Sequence, residues 1–246
     1  MRVHASGSQR AAVLLAVLSV ALADACRRHY PADPAHDVDI IASDGVVLKG
    51  SYFSPGTPGP GILLLHQCNM DRHAWDTLTP DLVSAGFHVL TFDQRGFGET
   101  PGKGGPADAE KAAGDADAAY TFLLSKQDVD KNRIAAGGAS CGVTYSSALA
   151  SRHPEIKALL LISGWVDDKS RAFITATPSL AVFGAAAERS SSDAADIRQA
   201  VAASRHPQST SRIVRGSEHG VGMFNADGDL KPAIVKWLAD NSRRPQ

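Results

Sequence analysis

Short apolar runs alternate with longer segments of helical periodicity along most of this chain. Continuous apolar runs are typical of strands buried on both faces of a parallel sheet, and they lie at 62–65, 87–92, 133–136, 158–162 and 179–183. Apolar residues at helical spacing predict helices over 74–85, 107–125, 143–152, 192–203 and 230–241. Two alternating stretches around Ser43-Asp44-Gly45 predict an antiparallel hairpin, and 212–214 predicts a short last strand. This order favours an α/β fold with a mostly parallel central sheet and helices on both faces.

The first 25 residues have the pattern of a secretory signal peptide. Arg2 and Arg10 precede an unbroken apolar run over 11–22, and an A-x-A cleavage pattern follows at Ala23-Asp24-Ala25. The run is too short to span a bilayer as a mature helix. We therefore expect an exported protein, periplasmic or secreted, with a linker over 26–36 and one domain over 37–246.

Cys26, directly after the expected cut, allows a second interpretation of the N-terminus. It would be the lipidated first residue of a membrane-anchored bacterial lipoprotein, although Ala23 and Asp24 fit the lipidation pattern poorly. Lipidation at Cys26 is the only membrane attachment that the sequence indicates.

The composition narrows the classes of partner. The chain carries 25 Lys and Arg against 26 Asp and Glu, and no basic run interleaved with aromatic residues indicates nucleic acid. No metal-ligand spacing and no phosphate-binding glycine loop is present in the sequence, so we expect no cofactor and a small-molecule substrate. The oligomeric state stays open.

The strongest motif in the chain is a G-x-S-x-G pentapeptide over Gly138 to Gly142. It follows a predicted strand and begins a predicted helix. In this context a serine lies on a strained strand-to-helix turn that exposes its hydroxyl, and the helix N-terminus stabilises negative charge beside it. Ser140 is therefore the candidate nucleophile, and Cys141 is an unfavourable alternative because serine occupies the centre of the motif.

Two further loops resemble those of the α/β-hydrolase superfamily, in particular its lidless, dienelactone-hydrolase-like members. Residues 93–100 look like a D-x-R-G-x-G-x-S loop, and residues 216–220 look like the histidine loop. The resemblance covers nearly all of the expected mature chain and implies the α/β-hydrolase fold. Since only one short helix fits between 162 and 179, we expect no lid and a site open to solvent.

The resemblance implies a Ser-His-acid triad whose members follow along the chain in the order nucleophile, acid, histidine. His219 is the expected base. The acid is less well defined: Glu188 is favoured as the first carboxylate after the strand at 179–183, Asp193 is the alternative, and Asp167 or Asp168 is a third option. The implied function is hydrolysis of carboxylic esters through an acyl-enzyme. The alternatives are a peptidase or amidase of the same fold, and an inactive envelope protein that uses the fold for binding.

The oxyanion hole requires two backbone N–H groups that converge on one oxygen. By position these belong to Cys141 and to Cys68, with Gln67, where the family more often has glycine, as the second choice for the latter. Because both donors must approach one atom, their Cα atoms should lie within disulfide range, and export would permit oxidation. We therefore hypothesise a Cys68–Cys141 disulfide, with two free buried thiols as the alternative.

Overall fold

The computed structural model describes residues 35–104 and 106–242. The expected signal peptide and Cys26 lie outside these residues, so processing and lipidation stay predictions. Within the described part, no helix is both long enough and apolar enough to cross a membrane.

A single mixed sheet organises the described residues. Its strands are β1 (His36–Ile41), β2 (Val47–Phe53), β3 (Gly59–Leu65), β4 (His88–Phe92), β5 (Val129–Ala139), β6 (Ile156–Ile162), β7 (Ala181–Ala187) and β8 (Thr210–Val214). They lie in the order β1-β2-β4-β3-β5-β6-β7-β8. The pairs β1–β2 and β2–β4 are antiparallel and the remaining pairs are parallel, which confirms the predicted hairpin and parallel sheet.

Helices cover both faces of this sheet. They are α1 (Thr79–Ser84), α2 (Pro106–Leu124), α3 (Cys141–Arg152), α4 (Asp168–Ala176), α5 (Ser191–Ala203), α6 (Met223–Ala226) and α7 (Leu230–Asn241), with 3₁₀ turns at Arg72–Trp75 and Gly220–Gly222. Neighbouring residues of β3 point to opposite faces, so Leu63 belongs to the core beneath α2 to α5 and Leu64 to the core beneath α1 and α7. Only α4 lies between β6 and β7, in agreement with the expected absence of a lid.

The structure corrects the helix that the sequence predicts over 74–85. The segment instead forms a 3₁₀ turn over Arg72–Trp75 and then α1, which begins at Thr79 with Pro80 in its first turn. Proline has no N–H to donate and is tolerated only where a helix begins, so Pro80 divides the segment.

The structure also moves β7 from the predicted 179–183 to Ala181–Ala187. The Gly-Ala run at its end looks like a turn in the sequence but continues the strand. A Cβ atom on Gly184 would lie 2.5 Å from Cγ2 of Ile197, so glycine at this position lets α5 pack closely on β7. The strand ends at Ala187 instead of 183, so the polar loop that follows it begins later than predicted.

Candidate active site

Ser140 lies on a sharp turn between β5 and α3. Its backbone has φ 52° and ψ −120°, a conformation that non-glycine residues rarely adopt. The flanking glycines permit the turn: a Cβ on Gly138 would lie 1.9 Å from the carbonyl oxygen of Gly142, and one on Gly142 would lie 2.3 Å from that of Leu65. The strained serine expected from the G-x-S-x-G motif is thus present, with the start of α3 against the end of β3.

His219 connects Ser140 to a carboxylate. Its Nε2 lies 2.8 Å from Oγ of Ser140, and its Nδ1 lies 3.0 Å from Oδ2 of Asp193. A carboxylate only accepts, so Nδ1 carries the proton in the neutral ring and Nε2 is left to accept the serine hydroxyl proton. Because 47% of the His219 side chain is exposed, the site is open to solvent.

The structure places Asp193, the alternative acid, in contact with His219, and not the preferred Glu188. Glu188 follows β7 directly, and its N–H donates to the carbonyl oxygen of Val214, which continues the pairing with β8 and keeps this residue at the sheet edge. Asp193 lies in the first turn of α5, and Oγ of Ser190 donates to its Oδ2 at 2.8 Å. Its side chain is only 19% exposed, so its charge acts on His219 with limited screening by water.

The third option for the acid lies elsewhere in the structure. Asp167 caps α4, where its carboxylate accepts hydrogen bonds from the N–H and the hydroxyl of Ser170. Asp168 is fully exposed in the first turn of the same helix. Both residues therefore have helix-terminal roles.

Cys68 and Cys141 form the hypothesised disulfide, with their Cα atoms 5.8 Å apart. Cys141 is the first residue of α3, and the first N–H groups of a helix have no partner within it. Cys68 lies in the loop after β3. The bridge therefore joins the two segments that carry the expected oxyanion donors.

His66, at the start of that loop, has a structural role. Its Nδ1 donates to the carbonyl oxygen of Gln67 at 2.8 Å, and its Nε2 accepts from the N–H of Gln94 at 2.9 Å. Burial lowers the pKa of His66 below its ordinary value and so favours the neutral ring that both contacts require. The loop backbone is thereby fixed from within the protein.

Residues 93–100, which resemble the D-x-R-G-x-G-x-S loop, contribute buried ion pairs. The Asp93 carboxylate accepts hydrogen bonds from the N–H groups of Arg72 and Glu99 and pairs with the Arg72 guanidinium. Arg95 pairs with Asp115 and Asp44, and its hydrogen bond holds the pKa of Asp44 well below the usual range. These contacts fix the loop beside the site.

In the described residues, no group of three or more His, Cys, Asp or Glu side chains is placed to hold a metal ion.

The role of the Gln67 side chain was not predicted from the sequence. It is buried and accepts a hydrogen bond from the N–H of Val221, two residues after His219. The one signal in the sequence was the departure from the glycine that the family more often has there.

The fold agrees with solved hydrolase structures. The dienelactone hydrolase of Anabaena variabilis superposes with a TM-score of 0.70 and 17% identity, covering 87% of this chain and 100% of that one. An esterase of Pyrococcus furiosus superposes with a TM-score of 0.69 and 16% identity, covering 85% and 93%. The protein is therefore an α/β hydrolase in its fold.

A match to a family model assigns the chain to one family within this fold. The family model Hydrolase_4, described as "Serine aminopeptidase, S33", matches residues 57–215, which is more than half of the chain. The chain belongs to this hydrolase family.

Curated relatives match only part of the chain. An uncharacterized protein of Mycobacterium tuberculosis is 37% identical over 126 residues, 50% of this chain and 44% of that protein. A thiohydrolase of Arthrinium phaeospermum is 28% identical over 127 residues, 51% of this chain and 41% of that protein. The chain thus spans less than half the length of these relatives.

Proposed function

We propose that this protein is an exported serine hydrolase that cleaves carboxylic esters through an acyl-enzyme. The observation that carries the proposal is the continuous hydrogen-bonded chain from Ser140 through His219 to Asp193. A serine hydroxyl is a weak nucleophile until an adjacent base accepts its proton, and this arrangement supplies that base together with a group that orients it.

The proposed reaction uses each of these groups in turn. Nε2 of His219 takes the hydroxyl proton as Oγ of Ser140 bonds to the ester carbonyl carbon, and Asp193 stabilises the imidazolium. The N–H groups of Cys68 and Cys141 stabilise the oxyanion of the tetrahedral intermediate. Its collapse breaks the ester C–O bond, and the alkoxide leaves as the alcohol with the proton from His219. Water, deprotonated by His219, then releases the acid and restores Ser140.

Two exposed apolar side chains, in segments that adjoin the Ser140 turn, support an ester with an apolar group. Trp165 is 50% exposed and Met70 is 39% exposed. Oγ1 of Thr144, in the first turn of α3, donates to the carbonyl oxygen of Trp165 at 2.8 Å, and Met70 lies two residues after Cys68. Both residues therefore belong to segments that adjoin the candidate nucleophile, and the lidless site favours accessible esters over long buried lipid chains.

The test combines active-site labelling with turnover. A fluorophosphonate probe should label the purified protein at Ser140, and the Ser140→Ala variant should stay unlabelled. A panel of p-nitrophenyl esters of increasing acyl length should show turnover in the wild type only. A folded wild-type protein that neither labels nor hydrolyses any ester would instead support the binding-protein alternative.

Peptide or amide hydrolysis is a second candidate, because the description of the matching family names a serine aminopeptidase. The same groups would serve, with His219 donating its proton to the leaving amine. An aminoacyl p-nitroanilide assayed beside the esters distinguishes the two: a higher kcat/KM for the anilide would assign the protein to the peptidases.

Export is supported by two independent features, the signal-peptide pattern and the Cys68–Cys141 disulfide, which forms and persists mainly in oxidising compartments. N-terminal sequencing of the mature protein should begin at Cys26. A blocked N-terminus that carries fatty acid would indicate the lipoprotein, and an intact Met1 would contradict export.

A further inference from the structure

The side chain of Gln67 extends from the loop after β3, which carries Cys68, to the loop that carries His219. It directly precedes Cys68, and its side chain is buried, since the residue is only 5% exposed. Its Oε1 accepts a hydrogen bond from the N–H of Val221 at 3.1 Å. Val221 belongs to the 3₁₀ turn Gly220–Gly222, which begins immediately after His219. One side chain thus connects the expected oxyanion loop to the histidine loop.

Two hydrogen bonds hold Gln67 itself, and a third holds its neighbour His66. Its Nε2 donates to Oδ1 of Asn69 at 2.8 Å, so the amide is oriented with Oε1 toward Val221. Its carbonyl oxygen accepts from Nδ1 of His66 at 2.8 Å. Gln94 holds His66 in turn, since its side chain donates to the carbonyl oxygen of His66 at 2.7 Å. The Gln67 side chain is therefore oriented by its own loop, and its Oε1 binds the histidine loop through Val221.

Gly220 fits this contact closely. Its φ is +58°, and a Cβ atom on it would lie 2.0 Å from Oε1 of Gln67. Real Cβ atoms do not approach another atom so closely, so the contact requires glycine on the histidine loop opposite a long amide on the other loop. The two residues are complementary in shape as well as in hydrogen bonding.

We propose that Gln67 is a positioning residue that fixes His219 relative to the oxyanion donors. The inference rests on the proposed function. His219 is half-exposed and lies on a loop, so little packing restrains it besides its contacts to Ser140 and Asp193. A displacement of about 1 Å in a catalytic group can cost on the order of 10²-fold in rate. Gln67 reduces such displacement by tying the base to the residue beside Cys68.

The kinetic test compares two variants of Gln67. Gln67→Met keeps a side chain of similar length that can stay buried, but it has no oxygen to accept the N–H of Val221. We expect kcat to fall roughly tenfold, with KM within about twofold of wild type. Gln67→Glu keeps an oxygen that accepts from Val221 but cannot donate to Asn69 and buries a charge, so it should recover only part of kcat and exceed Gln67→Met. Tyr120→Phe is the matched control, because it removes the hydrogen bond from a buried side chain to Glu155 away from both loops and should lower stability without changing kcat.

Amide hydrogen exchange provides a readout that does not depend on turnover. The N–H of Val221 should exchange faster in Gln67→Met than in wild type and stay protected in Gln67→Glu. Wild-type kcat in Gln67→Met, or a loss of kcat in both variants with Val221 still protected, would overturn the inference while leaving the proposed function intact. If wild type itself neither labels nor turns over, the proposed function fails, and unchanged exchange at Val221 would then overturn the holding role of Gln67 separately.

Discussion

At the scale of single residues, the candidate site depends on a few side chains whose neighbours fix their chemistry. Ser140 is held in a strained turn, His219 spans from it to Asp193, and Gln67 holds the histidine loop. The serine and the histidine follow from motifs in the sequence. Asp193 was only the alternative there, because Glu188 is the first carboxylate after the strand predicted at 179–183.

The identity of the acid can be tested by removing one charge at a time. Asp193→Asn should lower kcat by about 10²–10⁴-fold, because the neutral amide no longer selects the productive tautomer or stabilises the imidazolium. Glu188→Gln is the matched control and should stay within about twofold of wild type. Steady-state kinetics on one p-nitrophenyl ester decides the question, and a larger loss in Glu188→Gln would restore the original assignment.

Trp165 gives a prediction about specificity. Trp165→Ala should reduce kcat/KM for esters with aromatic or medium-length acyl groups by roughly three- to tenfold, because such groups lose an apolar contact, and should leave acetate esters nearly unchanged. Ile41→Ala, another exposed apolar side chain but on the edge strand β1, serves as the control. An equal loss on every ester would assign Trp165 to support of the turn rather than to substrate contact.

At the scale of elements, the site forms where strands end and helices begin. The ends of β3, β5, β7 and β8 supply the expected oxyanion loop, the Ser140 turn, the loop to Asp193 and the histidine loop, in agreement with ligand sites at the carboxyl ends of parallel strands. Strand and helix periodicity predicted most of these elements. It failed at 74–85, where Pro80 divides the helix, and at β7, where small residues continue the strand.

The disulfide joins two of these elements, and its loss should affect both stability and rate. It closes a separation of 73 residues, for which the chain-entropy model gives a stabilisation of about 4 kcal/mol. We expect Cys68→Ser/Cys141→Ser to have a lower Tm and, at temperatures where it is folded, a kcat reduced on the order of tenfold, less than the 10²–10³-fold that loss of one oxyanion donor costs.

The control for that experiment is a thiol reductant. Reductant should lower the kcat of wild type toward that of the double variant and leave the double variant unchanged. A double variant with wild-type kcat and lower Tm would limit the bridge to a stabilising role, and an unchanged Tm would show that the thiols do not pair.

At the scale of the whole molecule, two buried histidines should make stability depend on pH. Burial lowers the pKa of His66 and the pKa of His88 below the ordinary value of 6.5. Nδ1 of His88 lies 2.7 Å from the Tyr52 hydroxyl, and its Nε2 lies 3.1 Å from the carbonyl oxygen of Thr57, so the neutral ring satisfies both partners. The unfolded chain therefore binds protons first as the pH falls below 6.5.

The sign of the effect follows from this difference in proton binding. The stabilisation is complete above pH 6.5 and is lost as the pH falls toward the lowered pKa values, with a slope of at most about 1.4 kcal/mol per pH unit for each histidine. Urea unfolding measured from pH 8 to pH 5 should show this decline. His88→Gln, which keeps a neutral polar side chain, should have a shallower slope, and an identical slope would contradict the assignment.

The conformation of Ser140 has a consequence for the history of this chain. A serine at φ 52° costs free energy that glycine would not, on the order of 1–3 kcal/mol for such a backbone. Random substitution in a lineage without selection for chemistry would replace the hydroxyl at no functional loss and relax the turn. Homologues that retain serine at this position should therefore be those that turn over a substrate, and homologues without activity should often carry glycine there.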